Sequence, residues 1–381
     1  MARVLILGGG FGGVSAAHYL RLLAPEHETV LVARDRDFVM GFRKNSELVG
    51  GEPMRVGRRS LASLEERGVR FVHGTITRVD PRARAVEVEG RTLEADALIV
   101  ALGAEVLPGA VPGLAEHGHN VYDPAEVPAA ADALASLREG RGVVGIFGAP
   151  YTCPPAPYEL ALLASEAATR RDARVEFAVF TPQPMSLPVL GSAGCEIVEG
   201  LLGLRGIGFT ANAKAERVEA GRVVFRGGGE TSFDVLLAVP PHRCPRILVD
   251  AGLAEADGWV RVDPRTLETG FEGVSAVGDC TAIPLATGQP MPKAGVLAEG
   301  EGRVVAERIV ARLQRIEPEG TFDGEGACYL EVGGGEAMMV KGRFLAQPAP
   351  EVQLTESSPR YLEDKGHYER QRLDEWFGPP G

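Results

Sequence analysis

A glycine-rich turn near the start of the chain constrains the fold more than any other feature. The run Arg3 to Leu7 is short and apolar, as in a buried strand, and Val14 to Leu23 has helical spacing. The turn between them carries GxGxxG, the strand–turn–helix fingerprint of a dinucleotide-binding Rossmann unit. The glycines of this turn that we predict to bind a dinucleotide are Gly8, Gly10, Gly12 and Gly13.

Each motif glycine has a physical reason to be there. Gly8 allows the tight turn, Gly10 lets the backbone approach a pyrophosphate, and Gly13 lets the helix pack closely on the strand. The helix that follows offers unpaired N–H groups to phosphate oxygens. We therefore predict that a dinucleotide pyrophosphate binds at this turn.

The end of the second strand bears on which dinucleotide binds. An acid that grips the adenosine ribose is expected just after Thr29 to Val32, and the chain has Arg34 and Asp35 there. Either Asp35 binds the ribose or Arg34 contacts the adenine end of the cofactor. An arginine here is also compatible with the 2′-phosphate of NADP, so this motif does not choose the dinucleotide.

Two later segments resemble motifs of the flavoproteins with two dinucleotide-binding domains. Residues 96–103 form an apolar strand ending in Ala101 and Gly103, and residues 273–279 form another strand, which ends at Gly278 and Asp279. The resemblance implies that FAD is the cofactor and that Asp279 binds near its ribityl chain and pyrophosphate. It also places Lys293, before a helix over 296–313, near the flavin pyrimidine edge, where positive charge stabilises the reduced flavin.

The second Rossmann-like unit has lost the features of a nucleotide site. Its strand, near 143–147, is followed by a loop with four prolines and Cys153 where pyridine-nucleotide enzymes carry another GxGxxG. Proline has no N–H group and a fixed φ, so this loop cannot cradle a pyrophosphate. We predict that NAD(P)H does not bind here and that the loop holds Cys153 rigidly.

The segment Cys153 to Glu159 resembles the active-site loop of the sulfide:quinone oxidoreductase and flavocytochrome c sulfide dehydrogenase family. The resemblance implies a redox-active disulfide against the flavin, with Cys328 as the partner of Cys153. Sulfide would attack this disulfide, a persulfide would pass to sulfide or a small thiol, and reduced FAD would reduce a quinone or an electron-carrier protein. Glu159 would manage protons, although a first-turn acid that stabilises the helix dipole is an equal interpretation.

Two alternatives remain open from the sequence. The chain could be an NAD(P)H-dependent quinone or disulfide/persulfide reductase, or a non-catalytic flavin redox sensor or subunit. The direction of sulfur chemistry is a further open question.

Cys195, Cys244 and Cys280 are interpreted as structural, because free cysteine is usually a small buried hydrophobe. The histidines show no metal-ligand pattern, and no metal is predicted.

Composition limits the partners and the location. The formal net charge is −12, with 40 Lys plus Arg against 52 Asp plus Glu, which disfavours a nucleic-acid surface. From the lengths of its apolar runs we expect neither a membrane-spanning helix nor a signal peptide. We expect a cytoplasmic protein, with peripheral contact at the inner membrane face as the alternative.

The order of motifs predicts an α/β fold of tandem Rossmann-like FAD/NAD(P)-type domains with a C-terminal α+β tail. Residues 1–105 and 240–317 are assigned to the FAD-binding domain, and residues 106–239 to the second Rossmann-like domain with its modified nucleotide loop. A hairpin is expected at 222–239. Residues 318–381 are expected to form a hairpin carrying Cys328 and a helix near 359–377.

Overall fold

The computed structural model describes residues 1–379 as a mixed α/β protein. Its α-helices, α1 to α9 in chain order, are Phe11–Leu23, Arg43–Leu48, Leu114–His117, Val127–Ser136, Ala156–Arg170, Gly191–Leu204, Arg246–Asp250, Gly295–Leu313 and Pro359–Phe377. Its strands, β1 to β25, are Arg3–Leu7, Glu28–Ala33, Asp37–Val39, Arg58–Ser60, Val69–His73, Ile76–Asp80, Ala85–Val88, Arg91–Glu94, Ala97–Val100, Glu105–Val106, His119–Asn120, Glu139–Ile146, Arg174–Phe180, Gly208–Thr210, Ala215–Glu219, Arg222–Phe225, Glu230–Ser232, Val235–Val239, His242–Arg243, Val260–Arg261, Val274–Ala276, Thr281–Ala282, Glu325–Gly333, Glu336–Arg343 and Glu351–Leu354.

A parallel five-stranded sheet holds the first glycine motif. Its strand order is β21-β9-β1-β2-β5, with Val4 of β1 opposite Thr29 on one side and Ala97 on the other. Every residue of β1 from Val4 to Leu7 is buried, because parallel strands are covered by helices on both faces. This order brings the ends of β1, β9 and β21, and thus all three sequence motifs, side by side.

Helices α1 and α8 pack together on this sheet through small residues. A Cβ atom on Gly302 of α8 would lie 2.3 Å from the carbonyl oxygen of Gly12 in α1. Only glycine at position 302 allows the two backbones to approach this closely. Helix α1 begins at Phe11, one turn earlier than the apolar spacing predicts, so Gly12 and Gly13 lie in its first turn.

A second parallel sheet has the order β11-β18-β12-β13-β14. The strands β12, β13 and β18 pair in parallel, and α5 packs on them as the crossover helix of a Rossmann-like unit. The predicted α/β fold with tandem Rossmann-like units is therefore confirmed.

Antiparallel sheets complete the molecule. The hairpin predicted at 222–239 is shorter than expected: β16 and β17 form it around Gly227–Gly229, while Val235–Val239 joins the second parallel sheet. That run consists of five buried apolar residues, which suits a central strand better than an exposed hairpin arm. In the C-terminal tail, β23, β24 and β25 form a sheet that carries Cys328.

Helix α9 packs its C-terminal end against the first Rossmann-like unit. Trp376 is buried, and its ring lies edge-on to Phe11 and Phe38, with centroids 5.8 and 5.6 Å away. Further along the same face, Lys365 and Glu369 are also buried. Within residues 1–379, no helix combines the length and the apolar character needed to cross a membrane.

Candidate active site

The three sequence motifs meet at one edge of the first sheet. A Cβ atom on Gly8 would lie 2.1 Å from the carbonyl oxygen of Ala101, and one on Gly12 would lie 2.9 Å from Val277. A Cβ atom on Gly13 would lie 2.0 Å from the carbonyl oxygen of Gly8. Gly8, Gly12 and Gly13 are thus required by close contacts within the protein, which hold the three segments together.

The free side of this edge fits a dinucleotide. Helix α1 has Gly10 at its N-cap, which has no side chain with which to cap the first N–H groups. A Cβ atom on Gly10 would meet nothing within 4 Å among the described residues, so this backbone faces open space. Gly103, in the left-handed region with φ +65, is equally open. Unpaired N–H groups at a helix N-terminus beside bare backbone are what a pyrophosphate requires.

The residues predicted to bind the adenosine end lie directly after β2. Arg34 and Asp35 are both exposed, and Arg34 Nε lies 3.6 Å from Asp35 Oδ1. Both side chains are therefore free to contact a ribose or an adenine at this end of the sheet. Their assignment to the cofactor stays a prediction.

Lys293 is buried behind Asp279. Its ammonium donates hydrogen bonds to the backbone oxygens of Asp279, at 2.6 Å, and of Thr281, at 3.0 Å, and it lies 3.5 Å from the centre of the Trp259 ring. Burial lowers the pKa of this lysine. Lys293 therefore holds the backbone of the Gly278–Asp279 turn, a role that sequence reasoning did not anticipate.

The loop carrying Cys153 is tied to the cofactor motif. The backbone N–H of Cys153 donates to the carbonyl oxygen of Lys293 at 2.6 Å, and the Thr152 hydroxyl donates to Asp279 Oδ2 at 2.7 Å. The Tyr122 hydroxyl donates to the carbonyl oxygen of Cys153 at 3.4 Å. Cys153 itself has φ +53, a left-handed conformation that a non-glycine residue adopts at a cost. The surrounding contacts thus hold this cysteine in place beside Asp279.

The prolines of this loop occupy the positions where a second nucleotide would need N–H groups. Helix α5 has Pro155 at its N-cap and Pro157 in its first turn. Because Pro157 lacks an N–H group, the first turn offers fewer donors to a phosphate than the first turn of α1 does. The absence of NAD(P)H binding here stays a prediction, and this geometry is consistent with it.

Cys153 and Cys328 are brought together from distant parts of the chain. Both are free thiols, and each one shifts the pKa of the other. The interaction with Cys153 lowers the pKa of Cys328, and the interaction with Cys328, followed by burial, raises the pKa of Cys153. The two cysteines therefore lie close enough for the charge of one to affect the other.

A buried ionic cluster lies beside the thiols. Lys365 Nζ lies 3.2 Å from Glu159 Oε1 and 2.7 Å from Glu331 Oε1. Glu159 also accepts hydrogen bonds from the Asn45 amide, at 3.1 Å, and from the backbone N–H of Glu331, at 2.9 Å. Burial raises the pKa of Glu159. Both Glu159 and Lys365 act electrostatically on the two cysteines, so the cluster sets the charge around them.

Sequence reasoning missed Lys365. The sequence did contain a pattern that indicates a buried Lys365. Helical spacing places it on one face of α9 with three other buried residues, Glu369, Leu373 and Trp376. A charged residue on a face that also carries leucine and tryptophan indicates a buried ion pair. Glu369 is the second example, since it pairs with Arg43.

The other cysteines lie in apolar surroundings. Burial raises the pKa of Cys244 to about 11 and that of Cys280 to about 12, and it also raises the pKa of Cys195. They therefore remain neutral thiols at ordinary pH, in keeping with structural roles. Among residues 1–379, no group of three or more His, Cys, Asp or Glu side chains is arranged to hold a metal ion.

An apolar cavity lies against Cys328. Its walls come from the Cys153 loop, the segment before α6, the start of α8 and the C-terminal sheet. Among the side chains that line it are Pro155, Leu187, Val189, Leu190, Val340 and Phe344. Cys328 therefore lies at the wall of an apolar cavity.

Comparison with known proteins agrees with this arrangement of motifs. Residues 2–302 match the model of the pyridine nucleotide-disulphide oxidoreductase family. The chain belongs to this family. It is accordingly an FAD-dependent oxidoreductase, and the cofactor predicted from the three motifs is confirmed.

The relatives include named sulfide:quinone oxidoreductases. The mitochondrial sulfide:quinone oxidoreductase of Mus musculus is 23% identical over 94% of this chain and 81% of its own length. The sulfide-quinone reductase of Aquifex aeolicus (strain VF5) is 26% identical over 81% of this chain and 76% of its own length. A crystal structure of the Aquifex aeolicus sulfide:quinone oxidoreductase matches 99% of this chain and 92% of its own with a TM-score of 0.89, at 23% identity. The resemblance stated from the sequence is therefore confirmed.

Proposed function

We propose that this protein oxidises sulfide to sulfane sulfur through Cys153 and Cys328 and passes the electrons by way of FAD to a quinone. The observation that carries the proposal is the meeting of these two cysteines beside the Gly278–Asp279 turn. Each of the two thiols shifts the pKa of the other, and the backbone N–H of Cys153 donates to the carbonyl oxygen of Lys293 in the same cofactor-binding region. The named relatives act on sulfide and quinone, which supports the assignment.

The residues act in the following way in the oxidised protein. A hydrosulfide ion attacks one sulfur of the Cys153–Cys328 disulfide, so one S–S bond forms and the disulfide bond breaks. One cysteine then carries a persulfide and the other is a thiolate. The outer sulfur later passes to a second nucleophile, and the two cysteines can close their disulfide again after losing two electrons.

The neighbouring charges suit this exchange. A thiolate needs stabilisation, and the positive charge of Lys365 favours the thiolate form of both cysteines. Closing the disulfide also releases the thiol proton, and Glu159 lies close enough to act electrostatically on both sulfurs. Because burial raises its pKa, Glu159 can hold a proton at higher pH than an ordinary glutamate.

FAD, when bound at Gly8–Gly13, Ala101–Gly103 and Gly278–Asp279, supplies an acceptor for the two electrons and a means of passing them on. The protein's own contribution is positioning, since the bond from Thr152 to Asp279 couples the cysteine loop to the cofactor-binding turn. A quinone is the acceptor we favour over a one-electron carrier protein, following the names of the relatives. Because quinones dissolve in membranes, we propose that the protein makes peripheral contact with the inner membrane face and is not located only in the cytoplasm.

An anaerobic sulfide titration of the purified holoenzyme, followed by its visible spectrum, tests the proposal. We expect stoichiometric bleaching of the flavin band in the wild type, and none in Cys153→Ser or Cys328→Ser. Cys244→Ser is the matched control, since it removes a buried thiol outside the pair, and it should behave as the wild type. Failure of sulfide to reduce the wild type, together with reduction by NADH, would instead assign the protein to the NAD(P)H-dependent reductases.

A further inference from the structure

A polar cluster lies beside the Cys153 loop and has no role in the proposed function as stated so far. It consists of Lys44, Tyr122 and His242, and we call it the Tyr122 cluster. The Tyr122 hydroxyl donates to the carbonyl oxygen of Cys153 at 3.4 Å, so the cluster is in direct contact with the cysteine loop. Its three members are not among the residues that line the apolar cavity at Cys328. The cluster is therefore a separate feature of the site.

Tyr122 has the other two side chains beside it. The Lys44 ammonium donates to the carbonyl oxygen of Tyr122 at 3.2 Å and lies 4.9 Å from the centre of the Tyr122 ring. The imidazole of His242 lies edge-on to the same ring, with centroids 5.3 Å apart. Both Lys44 and His242 interact electrostatically with Asp279. The cluster therefore lies between the cysteine loop and the Gly278–Asp279 turn.

The short strand β19 points His242 into the protein. Its neighbour Arg243 is exposed, and Arg243 Nε lies 2.8 Å from Glu105 Oε2 on the paired strand β10. Successive side chains of a strand point to opposite faces, so His242 points away from this ion pair and toward the Tyr122 ring. The pairing of β19 with β10 thus fixes the direction of the imidazole.

The contacts of His242 define which nitrogen carries the hydrogen. Nδ1 lies 2.8 Å from the carbonyl oxygen of Pro240, and a carbonyl oxygen only accepts hydrogen bonds, so Nδ1 is the donor. In the neutral ring Nε2 then has a free lone pair. This atom is buried, and among residues 1–379 no group forms a hydrogen bond with it. A buried acceptor without a donor is a place for a small molecule that carries a hydrogen to donate.

The charged groups that face His242 act on its pKa in both directions. Burial lowers the pKa, Asp279 raises it, and Lys44 and Lys293 lower it. The net result is a lowered pKa, so the imidazole is a neutral base at neutral pH.

Lys44 supplies a positive charge at the same place. Burial lowers its pKa, whereas the neighbouring Cys153, Asp123 and Asp279 raise it. In the part of the chain that the structure describes, no carboxylate forms an ion pair with Lys44, and its hydrogen bond goes to the carbonyl oxygen of Tyr122. Because this partner is neutral, the ammonium retains its attraction for a small anion.

Resting on the proposed function, we infer that His242 accepts a proton from hydrogen sulfide and that Lys44 holds the resulting hydrosulfide before it attacks the disulfide. H₂S donates an S–H to Nε2 of His242, and transfer of that proton leaves hydrosulfide and an imidazolium. Hydrosulfide then attacks one sulfur of the Cys153–Cys328 disulfide. A new S–S bond forms, the disulfide bond breaks, and one cysteine leaves as a thiolate whose negative charge the imidazolium offsets.

The base has a clear chemical purpose. Hydrogen sulfide ionises near neutral pH, and the ionised form of a sulfur compound is the nucleophile. Below neutral pH most of the substrate is therefore unreactive H₂S. A neutral imidazole in the site removes the proton there, so the rate no longer depends on how much hydrosulfide exists in solution.

The pH profile of flavin reduction tests the inference. The holoenzyme is mixed with sulfide without oxygen in a stopped-flow spectrometer, and the flavin band is followed. His242→Gln is the variant, because its amide can still donate to the Pro240 carbonyl oxygen but does not take up a proton. His73→Gln is the matched control, since His73 is exposed at the end of β5.

We expect the variant and the wild type to differ only at low pH. At about pH 8.5 the rates of wild type, His73→Gln and His242→Gln should agree within about twofold, because hydrosulfide is then abundant. At about pH 6 His242→Gln should be about tenfold slower than the other two proteins. All three should retain their full content of FAD.

Lys44→Met should show the opposite pH dependence. At about pH 8.5, where the ligand is an anion, the half-saturating sulfide concentration should rise about tenfold. At about pH 6, where the ligand is mainly neutral, it should rise by less than about twofold. Lys44→Arg retains the charge and should recover most of the affinity at high pH.

The outcomes separate this inference from the proposed function. If sulfide fails to reduce the wild-type flavin at any pH, the proposed function itself is wrong. If sulfide reduces it and His242→Gln follows the wild-type pH profile, or is slowed equally at every pH or loses FAD, the assignment of His242 is overturned. An equal effect of Lys44→Met at both pH values would overturn the role of Lys44.

Discussion

Replacement of Lys365 by methionine tests whether the buried ionic cluster holds α9 in place. Lys365 on α9 is 6% exposed at its side chain, and Glu159 on α5 is 4% exposed. Methionine keeps most of the side-chain volume, so the change removes the charge and leaves two carboxylates without a cation. Removing one partner of a buried pair costs about 3–5 kcal/mol. We expect the lower end, about 3 kcal/mol, because Glu331 is 24% exposed and Glu159 keeps its bonds to Asn45 and to the Glu331 N–H.

The pH dependence of the destabilisation by Lys365→Met follows from the direction in which the Glu159 pKa is shifted. Burial already raises this pKa, and loss of Lys365 removes a group that lowers it, so the pKa rises further in the variant. A carboxyl whose pKa is raised in the folded state is protonated more readily there than in the unfolded chain. The loss of folding stability caused by the buried Glu159 carboxylate is therefore present above its pKa in the folded state, and it disappears as the pH falls. The stability difference between Lys365→Met and the wild type should therefore be larger at pH 8 than at pH 5.

Urea unfolding of the holoenzyme at the two pH values measures this difference. Arg246→Gln is the control, since it breaks an exposed i,i+4 pair with Asp250 and should cost about 0.3–0.5 kcal/mol at either pH. The double variant Glu159→Gln/Lys365→Met should recover part of the loss, because it removes a buried carboxylate together with its cation. A Lys365→Met penalty no larger than that of Arg246→Gln at pH 8 would refute the reasoning.

Two further predictions concern the cofactor edge. Gly10→Ala should fold with a Tm close to that of the wild type, because its Cβ atom meets only open space in the protein. The same Cβ atom obstructs a pyrophosphate, so this variant should lose FAD affinity by about tenfold or more. Gly13→Ala should lower the Tm of the apoprotein, since its Cβ atom would lie 2.0 Å from the Gly8 carbonyl oxygen. Calorimetry of the apoproteins and FAD titration check both, and equal Tm values for the two variants would contradict the distinction. Burial raises the pKa of Glu301, whose carboxylate accepts the Gly278 N–H, to about 8, so wild-type stability should fall as pH rises from 5 to 8. Glu301→Gln should lose less stability over that range, and parallel stability–pH curves would show that Glu301 does not titrate in the fold.

Much of the cofactor edge was predictable because its signals are local. The GxGxxG turn needs glycine for contacts made within a few residues or with a neighbouring strand, as Gly8 does with Ala101. The strand before it is recognisable from its own apolar run. Element boundaries were less accurate: α1 starts at Phe11 because the motif glycines themselves enter the helix.

The site at the cysteines was predictable only in part. Cys153 stands in a distinctive proline-rich loop, and its partner came from resemblance to a family rather than from any pattern around Cys328. Lys365 was missed because a lysine in a charged helix usually faces solvent, and only the packing of α9 against α5 and β23 buries it.

The amino-acid sequence by itself determined the parallel strand–turn–helix units, the glycine-rich turn before α1 and the proline-rich loop before α5. These depend on steric properties of glycine and proline, which act over a few residues. Only the tertiary structure decided that Lys293 binds the backbone at Asp279, that Glu159 pairs with Lys365, and that Cys328 lines an apolar cavity. Those features depend on burial and on contacts between residues far apart in the chain, because desolvation and charge pairing are properties of the assembled fold.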